Sequence, residues 1–119
     1  MNDLLAPAAG VSAGSRAAWS VLATVPLPEG WRRDLTSNGF IQNDLRFYRG
    51  NDWMFSAVLA EGWVLFYARR PAISAGLVAP AAFLAAFPVA RWKGKGEAKL
   101  RLHDEAEARD LWDWAMAGA

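Results

Sequence analysis

The segment between residues 31 and 69 constrains the fold most, because it contains four strand-like stretches joined by very short connections. Aromatic and β-branched residues are concentrated in these stretches, at residues 31–35, 45–49, 53–59 and 63–69. Turn-forming residues separate them, as at 36–39. A parallel return to the same sheet needs a crossover of about a dozen residues. The sequence therefore predicts an antiparallel meander, with its clearest hairpin turn at Ala60-Glu61-Gly62.

Helix-like segments lie on both sides of this meander. Ser15 can cap a first helix whose apolar residues recur at helical spacing, and Pro26 ends it. A short second helix is predicted at residues 80–87, with proline in its first turn and another proline after it. The last helix begins at Asp104, and Glu107 three residues later gives a start of the capping-box type.

The expected fold is α+β. Residues 98–102 alternate between apolar and basic side chains, which indicates one more strand before the last helix. We predict a single domain with an antiparallel meander sheet of 4–5 strands and three helices, in the order α-β-β-β-β-α-β-α. The 119 residues are enough for one such domain. Residues 1–14 are expected to form a flexible lead-in, and residues 15–119 the domain.

The uncharged stretch at residues 71–90 has about the length of a membrane span but not its composition. It consists largely of alanine and contains three prolines, which remove helical hydrogen bonds. We therefore expect no membrane span. Asp3 stands where a secretory signal needs positive charge, and the chain contains no cysteine. These two features predict a cytoplasmic protein.

Alternation along the central strands predicts that both faces of the sheet are largely apolar. Trp53 and Phe55 are expected on one face, and Met54 and Ser56 on the other. On the next strand the side chains that share a face are predicted to be Trp63, Leu65, Tyr67 and Arg69. A sheet that is apolar on both sides is either covered twice or uses one face to hold a partner.

The composition excludes several kinds of metal and catalytic site. The chain has no cysteine and a single histidine, His103, so it cannot form a cysteine-ligated or multi-histidine metal site by itself. The glycine patterns of dinucleotide-binding and phosphate-binding loops are absent. Glu97-Ala98-Lys99 has the spacing of some metal-dependent nucleases, without a convincing acidic partner on a preceding strand. We predict no cofactor, no metal and no catalytic residue.

Charge is distributed unevenly along the last third of the chain. The formal net charge is only +1, from 13 Lys and Arg against 12 Asp and Glu. A basic segment nevertheless precedes the acidic last helix, and its residues are Arg91, Lys93, Lys95, Lys99 and Arg101. Such a run is either a solvated surface or a set of contacts to phosphates.

These features leave three functional hypotheses. The first is a non-enzymatic binding or assembly module, whose exposed apolar and aromatic sheet face serves self-association as a homodimer or contact with a protein partner. The alternative is binding of single-stranded nucleic acid through the basic segment and strand aromatics. The predicted binding residues are Arg91, Trp92, Lys93, Lys95, Lys99, Arg101, Trp31, Trp63 and Tyr67. An enzyme is the third hypothesis, with the residues His103, Asp44, Asp52 and Glu61.

Overall fold

The computed structural model describes residues 10–38, 41–93 and 97–117 and confirms the α+β class. Its elements are α1 (Ala13–Thr24), β1 (Trp31–Asn38), β2 (Ile41–Arg49), β3 (Asp52–Leu59), β4 (Val64–Ala68), α2 (Arg70–Ser74), α3 (Pro80–Ala86), β5 (Arg91–Lys93), β6 (Glu97–Leu102) and α4 (Glu105–Met116). The predicted order of the longer elements is confirmed. The sequence does not predict α2 and β5, because five and three residues are too few to show a periodic pattern.

The strands form one antiparallel sheet in the order β1-β2-β3-β4-β6-β5. The predicted meander from β1 to β4 is therefore confirmed. β6 then pairs with β4, and the short β5 pairs with the other edge of β6. The turn predicted at 36–39 is wrong in its first three residues, because β1 continues to Asn38, which pairs with Ile41. Its last residue, Gly39, lies outside the described residues.

The first helix begins earlier than the sequence predicts. Its N-cap is Ser12, whose hydroxyl accepts a hydrogen bond from the backbone N–H of Ser15 at 3.1 Å. Ser15 itself is buried and donates to the carbonyl of Ala60 at 2.9 Å. The predicted cap at Ser15 is wrong, because Ser12, three residues upstream, accepts the hydrogen bond from the backbone N–H of Ser15 and so caps the helix. The described residues 10–14 thus include the start of α1, and residues 1–9 lie outside the described part of the chain.

The predicted start of the last helix is confirmed. Asp104 is the N-cap of α4, and its side chain accepts from the backbone N–H of Glu107 at 2.9 Å. In return, the Glu107 carboxylate accepts from the backbone N–H of His103 at 2.8 Å. The first bond satisfies an N–H group that the first helical turn leaves free, and the second satisfies the N–H of the residue before the cap.

The core lies between the helices and one face of the sheet. Helices α1 and α4 pack against each other and cover this face. Trp112 of α4 contacts the rings of Phe47 and Phe55 at centroid distances of 5.1 and 6.3 Å. Phe83 of α3 contacts Trp114 of α4 at 5.5 Å. Helix α3 therefore belongs to the same layer as α4.

The uncharged stretch at residues 71–90 forms two short helices instead of one long helix. Pro71 and Pro80 lie in the first turns of α2 and α3, where a missing N–H group costs no helical hydrogen bond. Among the residues that the structure describes, no helix is long and apolar enough to cross a membrane. The prediction against a continuous spanning helix is confirmed.

A β-bulge in β3 changes the faces that simple alternation predicts. Consecutive residues of β2 pair with Phe55 and Trp53, so that Met54 between them is an extra residue. Trp53 consequently lies on the same face as Ser56, and its Nε1 donates to Ser56 Oγ at 2.9 Å. The predicted placement of Trp53 beside Phe55 is wrong, because one inserted residue reverses the alternation. On β4 the predicted alternation is confirmed by the burial pattern.

Candidate functional site

The candidate site lies on the face of the sheet opposite α1 and α4, which we call the open face. The strand register places its side chains in rows across the sheet. The central row consists of Asp34, Arg46, Ser56, Tyr67, Lys99 and Arg91. The row on one side of it consists of Thr36, Asp44, Val58, Leu65 and Arg101. Cationic, aromatic and apolar side chains are therefore interleaved across the width of the sheet.

Trp53 is held between the face's arginines. The guanidinium carbons of Arg46 and Arg69 lie 3.9 and 3.7 Å from the centroid of its ring. On the neighbouring strands, the guanidinium of Arg32 lies 4.1 Å from the ring centroid of Tyr48. Each such cation–π contact contributes about 0.5–1 kcal/mol where it is exposed. The contacts fix the positions of cations that would otherwise move freely in solvent.

The same pairing recurs at the other side of the open face. Lys99 Nζ lies 4.8 Å from the ring centroid of Tyr67, and the Arg101 guanidinium carbon lies 4.3 Å from that of Trp63. Lys99 and Tyr67 are directly opposite each other on β6 and β4. The face is thus a surface of cations supported by rings, in place of the largely apolar surface that alternation predicts.

Positive charge exceeds negative charge on the described part of the open face. Its carboxylates are Asp34, Asp44 and Glu97, and its cations are Arg32, Arg46, Arg69, Arg91, Lys99 and Arg101. Arg46 pairs with Asp44 at 3.0 Å, and Arg32 pairs with Asp34. The other four cations form no ion pair with any carboxylate that the structure describes. The electrostatic potential of this face therefore favours an anionic ligand.

A pocket of about 390 Å³ crosses the open face from β2 to β6, and Asp44 lines it. Asp44 is only 4% exposed. Its Oδ2 accepts from Arg46 Nε at 3.0 Å, whereas its Oδ1 is buried without a hydrogen-bond partner. Leaving a buried acceptor unpaired costs about 1–3 kcal/mol. The donors around the same pocket include the hydroxyls of Ser56 and Tyr67 and the ammonium of Lys99.

Tyr67 remains a neutral hydrogen-bond donor in this pocket. Burial raises the pKa of its phenol, and the negative charges of Asp44 and Glu97 raise it further. The phenol therefore keeps its proton over a wider pH range than an exposed tyrosine does.

A second pocket, of about 460 Å³, continues the open face towards β5. Trp63, Leu65 and Arg91 line it, together with His103. The His103 ring lies 6.3 Å from that of Trp63, and its Nδ1 lies 3.0 Å from Glu107 Oε1. The cationic and aromatic lining of the open face thus extends to the edge of the sheet.

The structure brings together several of the predicted binding residues. Those that lie on the open face are Trp63, Tyr67, Arg91, Lys99 and Arg101. Trp31 lies instead on the helix-covered face, where it stacks on Phe55 at 5.6 Å. Trp92 and Lys93 belong to β5, whose backbone pairs with β6. Lys95 lies outside the described residues.

Several residues of the site are missing from the predicted binding set, among them Trp53, Arg46, Asp44 and Arg69. Trp53 is placed on this face by the bulge, and a bulge has no clear signal in this sequence. Arg46 and Asp44 lie on a strand three positions away from the basic segment in the sheet. Their proximity to Ser56 and Tyr67 follows from strand register, which a single sequence does not specify.

The residues of the enzyme hypothesis do not converge. Asp44 lines the first pocket, whereas His103 lines the second. Asp52 and Glu61 are exposed at or beyond the ends of β3. No group of three His, Asp or Glu side chains within the described ranges could hold a metal ion.

The Glu97-Ala98-Lys99 pattern also lacks the geometry of a metal-dependent nuclease. Glu97 and Lys99 lie on β6, and Asp44 lies on β2, three strands away. With strands spaced by about 4.8 Å, the backbones of β2 and β6 are about 14 Å apart. The two strands that pair with β6 are β4 and β5, and neither contains an Asp or Glu that could serve as the acidic partner of Glu97.

The chain matches no family model, and comparisons with curated proteins and with solved structures find no match.

Proposed function

We propose that the protein is a non-enzymatic binding module that holds a single-stranded nucleic acid on its open face. The observation that carries the proposal is a set of four cations that form no ion pair within the described residues: Arg69, Arg91, Lys99 and Arg101. Three of them, Arg69, Lys99 and Arg101, each lie against an aromatic ring, and Arg91 lines a pocket together with Trp63. Single-strand binding surfaces combine cations that follow the phosphates with planar groups on which bases stack. A nucleic-acid ligand also agrees with the cytoplasmic location that the sequence predicts.

The form of the face favours a single strand over a duplex. Trp63 and Tyr67 lie among the cations and are half-buried, which leaves part of each ring for contact with a base. The guanidinium planes of Arg69 and Arg101 can stack on bases as well. In a duplex the bases are paired and stacked on each other, so these planar groups would have no base face to contact.

A salt titration tests the proposal. Each neutralised phosphate of a single strand contributes about −0.7 to the slope of log K against log salt concentration. Four cations therefore predict a slope of about −3 for a fluorescently labelled oligothymidylate. We expect Lys99→Gln or Arg101→Gln to make the slope shallower by about 0.7 and to weaken binding at low salt.

Arg16→Gln is the matched control, because it removes the same charge from an exposed position on α1. It is expected to leave the slope unchanged. Absence of binding at low salt would refute the proposal, and so would equal losses of affinity in all three variants.

A second candidate function is self-association or contact with a protein partner through the same face. The observation in its favour is a row of apolar side chains at one side of the open face. Val58 and Leu65 are adjacent across β3 and β4, and Trp63 and the 71% exposed Val89 lie next to them. Light scattering tests self-association: a mass of two chains, reduced to one chain by Leu65→Lys, would support it.

A further inference from the structure

Three of the four unpaired cations of the open face lie around one pocket. Arg91, Lys99 and Arg101 line the pocket of about 460 Å³ next to β5, which we call the edge pocket. No Asp or Glu is among the described residues that line it. The other pocket of the open face also has three cations, but Asp44 and Glu97 line it as well. The net positive charge is therefore higher in the edge pocket.

The strand register brings two of these cations directly opposite each other. Arg91 on β5 is paired with Lys99 on β6, and Arg101 follows two residues later on the same face of β6. Side chains that are directly opposite on paired strands have Cβ atoms about 5 Å apart, and like charges there destabilise the sheet. In the free protein these cations therefore repel each other. An anion bound between them would remove this repulsion.

Neighbouring groups hold two of the cations in place without neutralising them. Lys99 lies against the ring of Tyr67, and Arg101 lies against the ring of Trp63. The acidic side chain of Glu107 is hydrogen-bonded to the backbone N–H and the ring of His103, and it forms no ion pair with a cation of the edge pocket. The charge of the three cations thus remains available to a ligand.

A phosphate monoester matches the edge pocket better than the phosphodiester inside a strand does. A monoester carries a charge of about −1.5 to −2 at pH 7 and presents three oxygens that accept hydrogen bonds. A phosphodiester carries a single negative charge and presents two such oxygens. Arg91, Lys99 and Arg101 can supply one donor group to each oxygen of the monoester. In a nucleic acid, a monoester occurs only at the end of a strand.

We infer that the edge pocket binds the terminal phosphate monoester of the single strand that lies on the open face. The inference rests on the proposed function and names the part of the ligand that this pocket recognises. Lys99 lines both the edge pocket and the pocket of Asp44, so the two are adjacent. A strand that ends at β5, the edge of the sheet, therefore continues across the open face past Tyr67.

The test compares strands of about ten thymidines that carry a phosphate at the 5′ end, at the 3′ end or at neither end. The control is an unphosphorylated strand two nucleotides longer, which at about pH 8 has the same total charge as each phosphorylated strand. We expect at least one phosphorylated strand to bind about tenfold more tightly than this control, the effect of one additional hydrogen-bonded charged group. The end that produces the effect identifies the direction of the strand on the sheet.

Equal affinities of the phosphorylated strands and the control of equal charge overturn the inference and leave the proposed function in place. Thymidine monophosphate that binds as tightly as the phosphorylated strand also overturns it, because the pocket would then bind a free nucleotide without the rest of the strand. Absence of binding to all the strands at low salt overturns both proposals. The outcomes therefore distinguish a failure of the edge pocket from a failure of nucleic-acid binding.

Arg91→Gln identifies the pocket responsible. Arg91 is exposed on a strand of three residues, so we expect the variant to fold and to lose the advantage of the phosphorylated strand. Arg69→Gln is the matched control, because it removes the same charge from the open face outside the edge pocket. It is expected to weaken all the strands to a similar extent and to retain the advantage. An advantage that survives in Arg91→Gln, or that Arg69→Gln removes equally, contradicts the assignment.

Discussion

At the scale of single residues, the open face depends on polar side chains that are partly buried by their own neighbours. Tyr67 is the clearest case, because its phenol lies between Ser56 on β3 and Lys99 on β6. Burial raises the pKa of Tyr67 above its ordinary value of 10.0, and the charges of Asp44 and Glu97 raise it further. The neutral phenol is therefore the form that the folded protein prefers.

This shift predicts a specific alkaline instability. Since the pKa of Tyr67 is higher in the folded than in the unfolded chain, its contribution to stability is complete below about pH 10. It is lost as the pH rises through the pKa of the folded state. Chemical denaturation between pH 8 and pH 11 is expected to show a smaller loss of unfolding free energy for Tyr67→Phe than for the wild type. An identical pH dependence of the two proteins would contradict this origin.

At the scale of elements, the contact between α1 and the start of α4 requires a glycine. A Cβ atom at Gly14 would lie 2.2 Å from the carbonyl oxygen of His103 and 3.3 Å from its carbonyl carbon. Both are backbone atoms, so they can give way only if one of the two helices shifts. A side chain at this position is therefore incompatible with the observed packing.

We expect Gly14→Ala to lower the free energy of unfolding by about 1–3 kcal/mol, the usual cost of overpacking. Gly62→Ala is the control, because no atom lies within 4 Å of a Cβ built there. The backbone of Gly62 is also outside the left-handed region, so alanine is expected to be neutral or slightly stabilising. Urea denaturation measures both variants. An equal effect of the two substitutions would show that the helix contact is not the cause.

The elements that can be predicted from the sequence are those determined by local signals. The short turn at Ala60-Glu61-Gly62 and the Asp104 cap involve residues at most four positions apart, and both predictions are confirmed. The start of α1 depends on whether Ser12 or Ser15 caps the helix, and the sequence alone favours Ser15, which is wrong. The end of α1 involves Arg33 of β1, which donates to the carbonyls of Leu22 and Val25. Such a contact between distant elements has no local signal.

The site is less predictable than the fold for the same reason. Lys99, Arg101 and Tyr67 are prominent in the sequence as charges and aromatics on predicted strands, and the structure places them together. Asp44 is one of several carboxylates near a predicted turn, and only the pairing of the strands shows that it is buried and shares a pocket with Ser56 and Tyr67. The alternation rule assigns faces correctly on β4 and, on β3, from Phe55 to Val58. It fails at Trp53, because the extra residue Met54 reverses the alternation there.

At the scale of the whole molecule, a net charge of +1 conceals two surfaces of opposite sign. The described cations of the open face outnumber its carboxylates two to one. Helix α4, on the other side of the sheet, exposes its acidic side chains, among them Glu105, Asp110 and Asp113. A nucleic-acid strand that approaches this protein is attracted by one side and repelled by the other. The side on which the nucleic acid binds therefore depends on the arrangement of the charges and not on the net charge.

This arrangement predicts opposite salt dependences for the two candidate functions. Two open faces that meet in a homodimer place like charges opposite each other, so salt weakens their repulsion and raises the fraction of dimer. A nucleic-acid strand releases counterions when it binds, so salt weakens that complex. Light scattering of the protein alone and anisotropy of a labelled strand, each at about 50 and 500 mM salt, measure the two equilibria. We expect one chain per particle at both concentrations and strand binding only at the lower one. A dimer that strengthens with salt and dissociates in Leu65→Lys would instead assign the open face to self-association.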